Sequence, residues 1–375
     1  MRILIDLRCL QSPPPRGGVA HYAEDLTRHL LRRDRGNAYE LFANGLVAPA
    51  AHLPTFTAPH ARWRIWRLPN KVFKVAHALS VPAGRLAPDV AWLPNLDYIP
   101  FLHPKTRIVV TVHDLSFEHF PDCFTTRQRA WHRLLRPHKL LHRADAIVAV
   151  SETTKRDIIE TYGIPEAKVH VIMPGIDCTH DDASAPPLSC ALCCILPEGF
   201  PFILSLSEIS PRKNLDGLVA AFELLDTPLH LVIAGKSGSA VRALRRQITR
   251  SPAADRIHLI GAVAEHEKTA LLARATCFVV PSFWEGFGFP PLEAMVAGVP
   301  VIASAHGSLP EVLGDAALFV DPRDPAAIAR ALRLVTTDAA FHATLIARGS
   351  TQARKYQWND AAEQLHHILT ERMAR

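Results

Sequence analysis

The feature of this sequence that most constrains its fold is an alternation between short apolar runs and longer amphipathic segments. The runs are rich in Val and Ile, which is typical of buried strands, and the segments between them have the length of helices. In the first half the predicted strands are 3–7, 108–112 and 147–150, and the predicted helices are 19–32, 127–142 and 153–162. This order of elements is typical of a parallel sheet with helices on both faces.

The alternation stops at residues 177–201, which are rich in Pro, Asp, Ser and Cys, and then begins again. In the second half the predicted strands are 202–205, 229–234, 257–260, 277–280, 299–303 and 317–320, and the predicted helices include 215–225 and 240–248. A chain of 375 residues is long enough for two cores. The sequence therefore predicts an α/β protein with two doubly wound, Rossmann-like domains that face a cleft.

The predicted boundaries follow from this restart. We expect an N-terminal domain at 1–176, a linker at 177–201 and a C-terminal domain at 202–350. Residues 341–374 have a helical pattern with Tyr356 and Trp358 at the centre. We predict that this helix, from 351 to 375, braces the two domains.

Charge is distributed unevenly along the chain. Residues 1–180 contain 24 Lys and Arg against 16 Asp and Glu, an excess of 8, whereas the whole chain carries +6. This asymmetry indicates an anionic partner, which could be a phosphate-bearing substrate, a membrane surface or nucleic acid. No recognised nucleic-acid-binding motif accompanies the basic half, so we expect no nucleic acid partner.

Residues 62–74 concentrate this charge among aromatic side chains, with Trp63, Trp66 and Phe73 interleaved among five basic residues. Such a mixture suits an anionic membrane surface, and the basic segment 127–143 could extend it. A solvated basic face with core-facing Trp is an equally good interpretation. No secretion leader or apolar run of membrane-spanning length is visible, so we expect a cytoplasmic protein, peripheral on the inner face of the plasma membrane.

The seven cysteines form an odd, scattered set, which favours reduced thiols. A cluster within the predicted linker could in principle bind zinc, but its spacing matches no familiar finger. The members are Cys178, His180, Cys190, Cys193 and Cys194. We predict no metal site.

Two glycines, Gly17 and Gly18, lie between the first predicted strand and the first predicted helix. Glycines there let a backbone approach a ligand, and a helix N-terminus offers free N–H groups to an anion. The spacing is not that of the dinucleotide fingerprint, and a simple turn is the competing interpretation. The pair is therefore a candidate phosphate contact.

Adjacent cations, Arg212 and Lys213, follow the first strand of the second half and precede a helix. The carboxyl edge of a parallel sheet is where a diphosphate is usually neutralised. Two basic residues in a loop are otherwise ordinary solvated surface. The prediction that they bind a donor diphosphate depends on the segment described next.

The most specific segment is 281–294, in which Glu285 and Glu293 flank a Gly-rich turn. Two consecutive prolines, Pro290 and Pro291, suit the first turn of a helix, whose dipole can face an anionic sugar phosphate. Each carboxylate can accept hydrogen bonds from sugar hydroxyls. The aromatic residues beside the turn are too apolar for an exposed loop.

Glu285 and Glu293 with their spacing resemble the E-x7-E motif of the family 4 retaining glycosyltransferases, which have the GT-B fold. The resemblance extends along most of the chain in order and spacing. Its supporting positions are the Gly17–Gly18 loop, His113 with Asp114, Ser151 with Glu152, residues 174–177 and the PRKN sequence at 211–214. The branch it most resembles contains mannosyl- and rhamnosyltransferases of bacterial surface polysaccharide synthesis.

The resemblance implies a role for each of these residues. Arg212 and Lys213 would bind the donor diphosphate, Glu293 the ribose hydroxyls, and His113 would lie beside the transferred sugar. Glu285 would bind that sugar together with the backbone of three neighbours, Gly286, Phe287 and Gly288. Many members have an arginine where this chain has Ser207. A structural hydrogen-bonding role is the alternative for His113.

The same resemblance implies the chemistry. Retention is attributed to a front-face route in which the leaving phosphate helps deprotonate the acceptor, so no enzymic nucleophile and no metal or other cofactor is expected. The donor would be a nucleotide sugar, with GDP-mannose the first expectation, bound by the C-terminal domain at 202–350. The acceptor would be a glycan or a lipid-linked glycan, bound by the N-terminal domain at 1–176. A nucleotide-sugar epimerase or phosphorylase of the same fold, or a non-enzymatic anion-binding module, are the alternatives.

Overall fold

The computed structural model describes residues 1–11, 16–45, 52–67, 86–97, 99, 102–177, 196 and 200–371. The chain divides into two compact units. The N-terminal unit comprises Met1–Leu115, Thr126–Gly175 and Gln357–Arg375, and the C-terminal unit comprises Ser116–Thr125 and Ile176–Tyr356. Residues 116–125 therefore belong to the C-terminal unit, although the residues on either side of them in the sequence belong to the N-terminal unit. Residues 357–375 belong to the N-terminal unit, although they follow the C-terminal unit in the sequence.

The N-terminal unit is built on a parallel sheet with the strand order β3-β2-β1-β4-β5-β6-β7. Its strands are β1 (Arg2–Asp6), β2 (Ala38–Asn44), β3 (Ala61–Trp66), β4 (Val90–Leu93), β5 (Arg107–Val112), β6 (Ala146–Ala149) and β7 (Val169–Val171). The central strands are almost wholly buried, as expected when helices cover both faces. A buried hydroxyl, Thr111 Oγ1, accepts a hydrogen bond of 3.0 Å from Trp92 Nε1.

The C-terminal unit has a second parallel sheet, with the order β10-β9-β8-β11-β12-β13. Its strands are β8 (Phe202–Leu206), β9 (His230–Ala234), β10 (Ile257–Gly261), β11 (Cys277–Val280), β12 (Val301–Ser304) and β13 (Ala317–Val320). All strands predicted from the sequence are present, with ends shifted by at most two residues. The prediction of two doubly wound domains is thus confirmed.

Helices connect the strands of both sheets. In chain order they are α1 (Gly18–Arg33), α2 (Ser116–His119), α3 (Thr126–Leu135), α4 (Pro137–Arg143), α5 (Glu152–Tyr162), α6 (Leu215–Glu223), α7 (Val241–Arg250), α8 (Glu265–Leu272), α9 (Phe289–Val296), α10 (Leu309–Leu313), α11 (Pro325–Thr337), α12 (Ala339–Ala353) and α13 (Trp358–Thr370). Because every sheet is parallel, these connections bring the loops after the strands to one edge of each sheet.

The single helix predicted over 127–142 is wrong, because the structure has α3 and α4 instead. Arg136, between them, has a left-handed backbone with φ of 47°. Pro137 lacks an N–H group, and its ring disfavours helical geometry in the residue before it. The proline therefore ends one helix and begins the next.

The single C-terminal helix is also wrong. The helical pattern of 341–374 is divided into α12 and α13, which belong to the C-terminal and N-terminal units respectively. Tyr356 stays in the C-terminal unit, where its hydroxyl donates to Val312 O at 2.7 Å. Trp358 packs in the N-terminal unit against α1, with its ring stacked on His29 at 6.3 Å. The two aromatic residues pack in the cores of different units, so the helical pattern is interrupted between them.

The basic and aromatic segment 62–74 begins on β3, which is the edge strand of its sheet. Trp66 packs edge-to-face on Phe42 at 5.7 Å, and Arg64 forms an ion pair of 2.6 Å with Glu40. Lys71, Phe73 and Lys74 lie outside the described residues, as do all five members of the candidate zinc cluster.

Two further findings concern the cysteine side chains and the lengths of the helices. Cys9, Cys123 and Cys277 are free thiols. Over the described part of the chain, no helix has the length and apolar character to cross a bilayer.

Candidate active site

The PRKN sequence forms a tight turn at the carboxyl edge of β8. Pro211–Lys213 is a single 3-10 turn, and Asn214 follows it in the left-handed region with φ of 51°. The Asn214 side chain donates to Pro281 O at 3.1 Å and to Pro322 O at 2.6 Å. Asn214 is therefore structural, because it fixes the turn that presents the two cations before it.

Glu285 is the centre of an ion-pair network at this edge. Its carboxylate accepts from Lys213 Nζ at 2.5 Å, from Arg212 Nη1 at 3.2 Å and from Ser282 Oγ at 2.6 Å. The side chain is only 12% exposed. The structure thus brings the predicted site residue Glu285 into contact with Arg212 and Lys213, which lie more than 70 positions earlier in the chain.

The electrostatics of this network determine the charge of Glu285. Burial raises the pKa of Glu285, but the charges of Lys213 and Arg212, with hydrogen bonds from Lys213 and Ser282, outweigh it and hold the pKa at about 2. The carboxyl group is therefore ionised at neutral pH and has no proton to donate. It can accept hydrogen bonds and stabilise positive charge.

The turn after Glu285 is held by packing. Gly288 has φ of 109° and precedes α9, with Pro290 and Pro291 in the first helical turn. Phe287 is buried, with its ring edge-to-face on Phe289 at 5.2 Å and on Tyr356 at 5.5 Å. The Phe287 side chain therefore belongs to the core, and only its backbone is suited to a ligand.

A second loop, after β12, supports Glu285 from the other side. Ser308 donates to Glu285 O at 3.0 Å from both its N–H group and its hydroxyl. Gly307 has φ of 65°, and a Cβ atom there would lie 2.7 Å from Glu285 O. Sequence analysis missed this loop, although a glycine directly after a strand at the carboxyl edge could have indicated it.

Glu293, on α9, has a simpler environment. Its carboxylate accepts from Lys268 Nζ at 2.7 Å, and the same ammonium group contacts Glu265 at 2.6 Å. Burial lowers the pKa of Lys268, but the two carboxylates outweigh it and raise the pKa. Lys268 was not predicted as a site residue, because nothing in the sequence pairs it with Glu293.

An aromatic cluster lies beside the network. The Trp284 backbone oxygen accepts from Arg212 Nη1. The Trp284 ring lies 5.2 Å from the ring of His119 and 5.9 Å from that of Phe120. His119 and Phe120 come from the segment that precedes α3 in the chain but belongs to the C-terminal unit, so sequence order gave no indication of this contact.

The loop after β9 lies at the same carboxyl edge of the sheet as the Glu285 network. Gly235 has φ of 147°, and a Cβ atom there would lie 1.8 Å from Ser207 O, so only glycine fits. The Ser207 hydroxyl is buried without a hydrogen-bond partner among the described residues.

The remaining predicted residues lie in the N-terminal unit. His113 follows β5, and its Nε2 lies 2.8 Å from Pro94 O, which can only accept, so Nε2 carries the proton. Burial lowers the pKa of His113, and the hydrogen bond to Pro94 and the charge of Asp114 offset this only in part. The imidazole is therefore neutral at pH 7, with Nδ1 as an acceptor.

Gly17 and Gly18 begin α1. Gly17 is the N-cap, with φ of −88° and no side-chain capping bond, and a Cβ atom added to it would meet nothing within 4 Å. Gly17 is therefore not needed for backbone conformation. It leaves open space beside the first helical turn, whose N–H groups an anion could approach.

Comparison with known proteins identifies the class. Residues 195–352 match the family described as "Glycosyl transferases group 1", and residues 16–180 match "Glycosyltransferase Family 4". The chain is 32% identical to O-antigen chain mannosyltransferase B of Escherichia coli over 284 residues, which cover 72% of this chain and 71% of that protein. This chain belongs to the family 4 glycosyltransferases, and it is an enzyme of that class.

Further similarities agree with the assignment. The serotype-specific mannosyltransferase WbdA of Escherichia coli is 34% identical over 229 residues, but the match covers only 28% of that longer protein. Among solved structures, sucrose-phosphate synthase from Thermosynechococcus elongatus aligns with a TM-score of 0.76 at 21% identity, covering 98% of both chains. HepE of Anabaena with UDP-glucose gives 0.73 at 20% identity, covering 99% of both. These similarities establish the GT-B fold.

Proposed function

We propose that this glycosyltransferase moves a mannosyl residue from GDP-mannose to a glycan or lipid-linked glycan in bacterial surface polysaccharide synthesis, with retention of configuration. The network of Glu285 with Arg212 and Lys213 is the observation that carries the catalytic part of this proposal. The names of the two E. coli mannosyltransferases support the choice of sugar.

The network has the charges that a nucleotide-sugar donor needs. Arg212 and Lys213 place two positive charges beside the carboxylate of Glu285. Preorganised cations stabilise the charge that develops on a departing phosphate. Glu285, ionised at neutral pH, is suited to accept from sugar hydroxyls and to stabilise a cation-like sugar.

The proposed transfer needs no enzymic base. The bond between the anomeric carbon and the diphosphate oxygen breaks, and the acceptor hydroxyl oxygen bonds to the same face of that carbon. The acceptor proton passes to the departing diphosphate, so the charges balance. His113 is neutral, and we propose that it contacts the transferred sugar by hydrogen bonding.

The donor and the stereochemistry can be tested together. We expect GDP-mannose to raise the melting temperature of the protein more than UDP-glucose or dTDP-rhamnose does, and the product to keep the anomeric configuration of the donor by NMR. Stabilisation by UDP-glucose alone would reject the GDP donor but keep the glycosyltransferase. An inverted product would reject the front-face route.

We further propose that no divalent metal is required. The diphosphate would be neutralised by Arg212 and Lys213, which perform the electrostatic role that a metal performs in other transferases. Activity should therefore persist in excess EDTA. Loss of turnover on chelation that is restored by magnesium or manganese would reject this part of the proposal.

The localisation proposal places the protein in the cytoplasm, peripheral on the inner membrane face, with the basic segment that begins on β3 against anionic lipid. Because Arg64 is paired with Glu40, the exposed residues Arg62 and Arg67 are the better test. Arg62→Glu with Arg67→Glu should reduce co-sedimentation with anionic vesicles and leave GDP binding unchanged. Equal co-sedimentation of parent and variant would reject this surface.

A further inference from the structure

The N-terminal unit contains a concave pocket that no step of the proposed reaction uses. Its volume is about 660 Å³, and it lies between the C-terminal half of α1 and the segment that leads into β3. The residues that line it are Arg28, Leu31, Arg32, Arg35, Phe56, Thr57, Ala58, Pro59 and His60. None of these lining residues is acidic.

Three arginines form one wall of this pocket. Arg28 and Arg32 are one helical turn apart on α1, and Arg35 follows two residues after the helix ends at Arg33. Arg33 does not line the pocket and forms an ion pair of 2.7 Å with Glu363 of α13. The end of α1 therefore presents three arginines to the pocket and a fourth to α13.

The arginines differ in how they are neutralised. Arg28 is held by Glu24 at 2.9 Å and lies over the Phe56 ring at 5.6 Å, but Glu24 also pairs with Arg16 at 2.7 Å. Arg32 and Arg35 are exposed, and their guanidinium groups form no hydrogen bond or ion pair with the described residues. The pocket therefore has an excess of guanidinium groups over carboxylates.

The opposite wall has an aromatic residue and an unsatisfied polar atom. Phe56 lies between the Arg28 guanidinium and the Trp63 ring, which is 6.0 Å away. His60 packs edge-to-face on Tyr39, and its Nε2 is buried without a partner among the described residues. A buried polar atom without a partner is rare, so the imidazole of His60 leaves one hydrogen bond unmet behind the surface of this wall.

The pocket is separate from the residues assigned to catalysis in the same unit. Arg35 and His60 precede β2 and β3, so they lie toward the amino edge of the sheet. Gly17 and His113 follow β1 and β5, at the carboxyl edge where open α/β sheets bind their substrates. A ligand in this pocket would therefore leave the carboxyl edge of the sheet free.

We propose that this pocket is a second anion-binding site and that it takes a phosphate-bearing group. A guanidinium binds phosphate oxygens in a bidentate manner. A phosphate or diphosphate has enough oxygens to bind several arginines at once, whereas one carboxylate has too few. Phe56 would contact the apolar part of the same ligand. The group could belong to an anionic lipid headgroup or to a soluble phosphorylated molecule.

Calorimetric titration with inorganic pyrophosphate tests the site. Arg32→Gln with Arg35→Gln should weaken binding at this site at least about tenfold, the loss expected for charge-assisted hydrogen bonds. The matched control is Arg245→Gln with Arg246→Gln on α7, which removes two positive charges at exposed positions that do not line this pocket. A background variant, Arg212→Ala with Lys213→Ala, removes the donor site. Pyrophosphate binding that remains in this background belongs to the pocket.

The outcomes are distinct. If the Arg32/Arg35 variant binds pyrophosphate as the parent does, in both the parent and donor-site backgrounds, the proposal is overturned. If its binding is lost, vesicles of phosphatidylglycerol with phosphatidylcholine identify the source. If the variant binds the vesicles less well than the parent does, and pyrophosphate displaces the parent from them, the pocket binds a lipid headgroup. If the variant and the parent bind the vesicles equally, the pocket binds a soluble phosphate.

Discussion

Glu285 and Glu293 belong to one motif but lie in different electrostatic environments. Glu285 is on a turn, bonded to two cations and a serine hydroxyl, with a second loop fixing its backbone. Glu293 is on a helix and is bonded to the ammonium group of Lys268. The first environment is suited to reaction chemistry and the second to binding, so substitutions at the two positions should affect different kinetic constants.

The largest effect should follow Glu285→Gln. The substitution keeps the shape but leaves Arg212 and Lys213 without their counter-charge, and the turnover number should fall by about 10²- to 10³-fold. Affinity for GDP should be unchanged or higher, because the carboxylate no longer competes with the diphosphate for the cations. Steady-state kinetics and calorimetric titration measure the two quantities separately.

Ser282→Ala is the matched control for this prediction, because it removes one hydrogen bond to Glu285 and keeps the charge. It should lower turnover by about tenfold or less. A Glu285→Gln enzyme with near-parental turnover would contradict the assigned role, provided that its circular dichroism shows a folded protein.

The second effect concerns Glu293→Ala. If Glu293 binds the ribose hydroxyls, affinity for GDP should fall by about 2 kcal/mol, the cost of losing charge-assisted hydrogen bonds, with a smaller effect on turnover at saturating donor. Lys268→Met removes only the partner of Glu293 and should weaken GDP binding less. Equal GDP affinity in parent and Glu293→Ala would remove Glu293 from the ribose role.

A smaller effect should follow Gly307→Ala. Both Gly307 and Gly298 have positive φ, of 65° and 72°, but a Cβ atom at Gly307 would press on the Glu285 backbone, whereas one at Gly298 meets nothing within 4 Å. Gly298→Ala should lose about 1 kcal/mol of unfolding free energy from backbone strain, and Gly307→Ala should lose more, because its Cβ atom also clashes with the Glu285 backbone. Only Gly307→Ala should also lower turnover, by about tenfold. Parallel losses of turnover in the two variants would contradict the support role.

A separate prediction concerns the pH dependence of the free energy of unfolding. The pKa of Glu285 lies at about 2 in the folded protein, below its ordinary value of 4.5, so its stabilisation is complete above pH 4.5 and is lost as the pH falls toward 2. The difference in unfolding free energy between parent and Glu285→Gln should narrow over that window, with a slope of at most about 1.4 kcal/mol per pH unit. Urea titrations at several pH values measure it, and a constant difference would reject the low pKa.

The parts of the site that were predicted from the sequence are those encoded locally. The Gly-rich turn with its two prolines and the adjacent Arg212 and Lys213 are short segments whose composition indicates their geometry. Lys268 was missed because an ion pair between two helices depends on how those helices pack. His119 and Phe120 were missed because the segment that contains them packs away from its neighbours in the chain.

The fold shows the same limit. Strands β1, β5, β6, β8 and β9 are apolar runs and were predicted, whereas β3, with arginines at alternate positions, was interpreted as a membrane-facing segment. The division between α12 and α13 could not be predicted, because both halves have the periodicity of one helix. The division follows from two cores that each require one aromatic residue.

The return of the chain to the N-terminal unit has a consequence for biosynthesis. α13 packs on α1 through Trp358. Trp358 also lies against Gly175, because a Cβ atom added to Gly175 would be 2.2 Å from the backbone nitrogen of Trp358. Residues 1–175 therefore leave the ribosome with this face of α1 uncovered. They remain incomplete throughout translation of the C-terminal unit, so the unit that is synthesised first is the last to be finished.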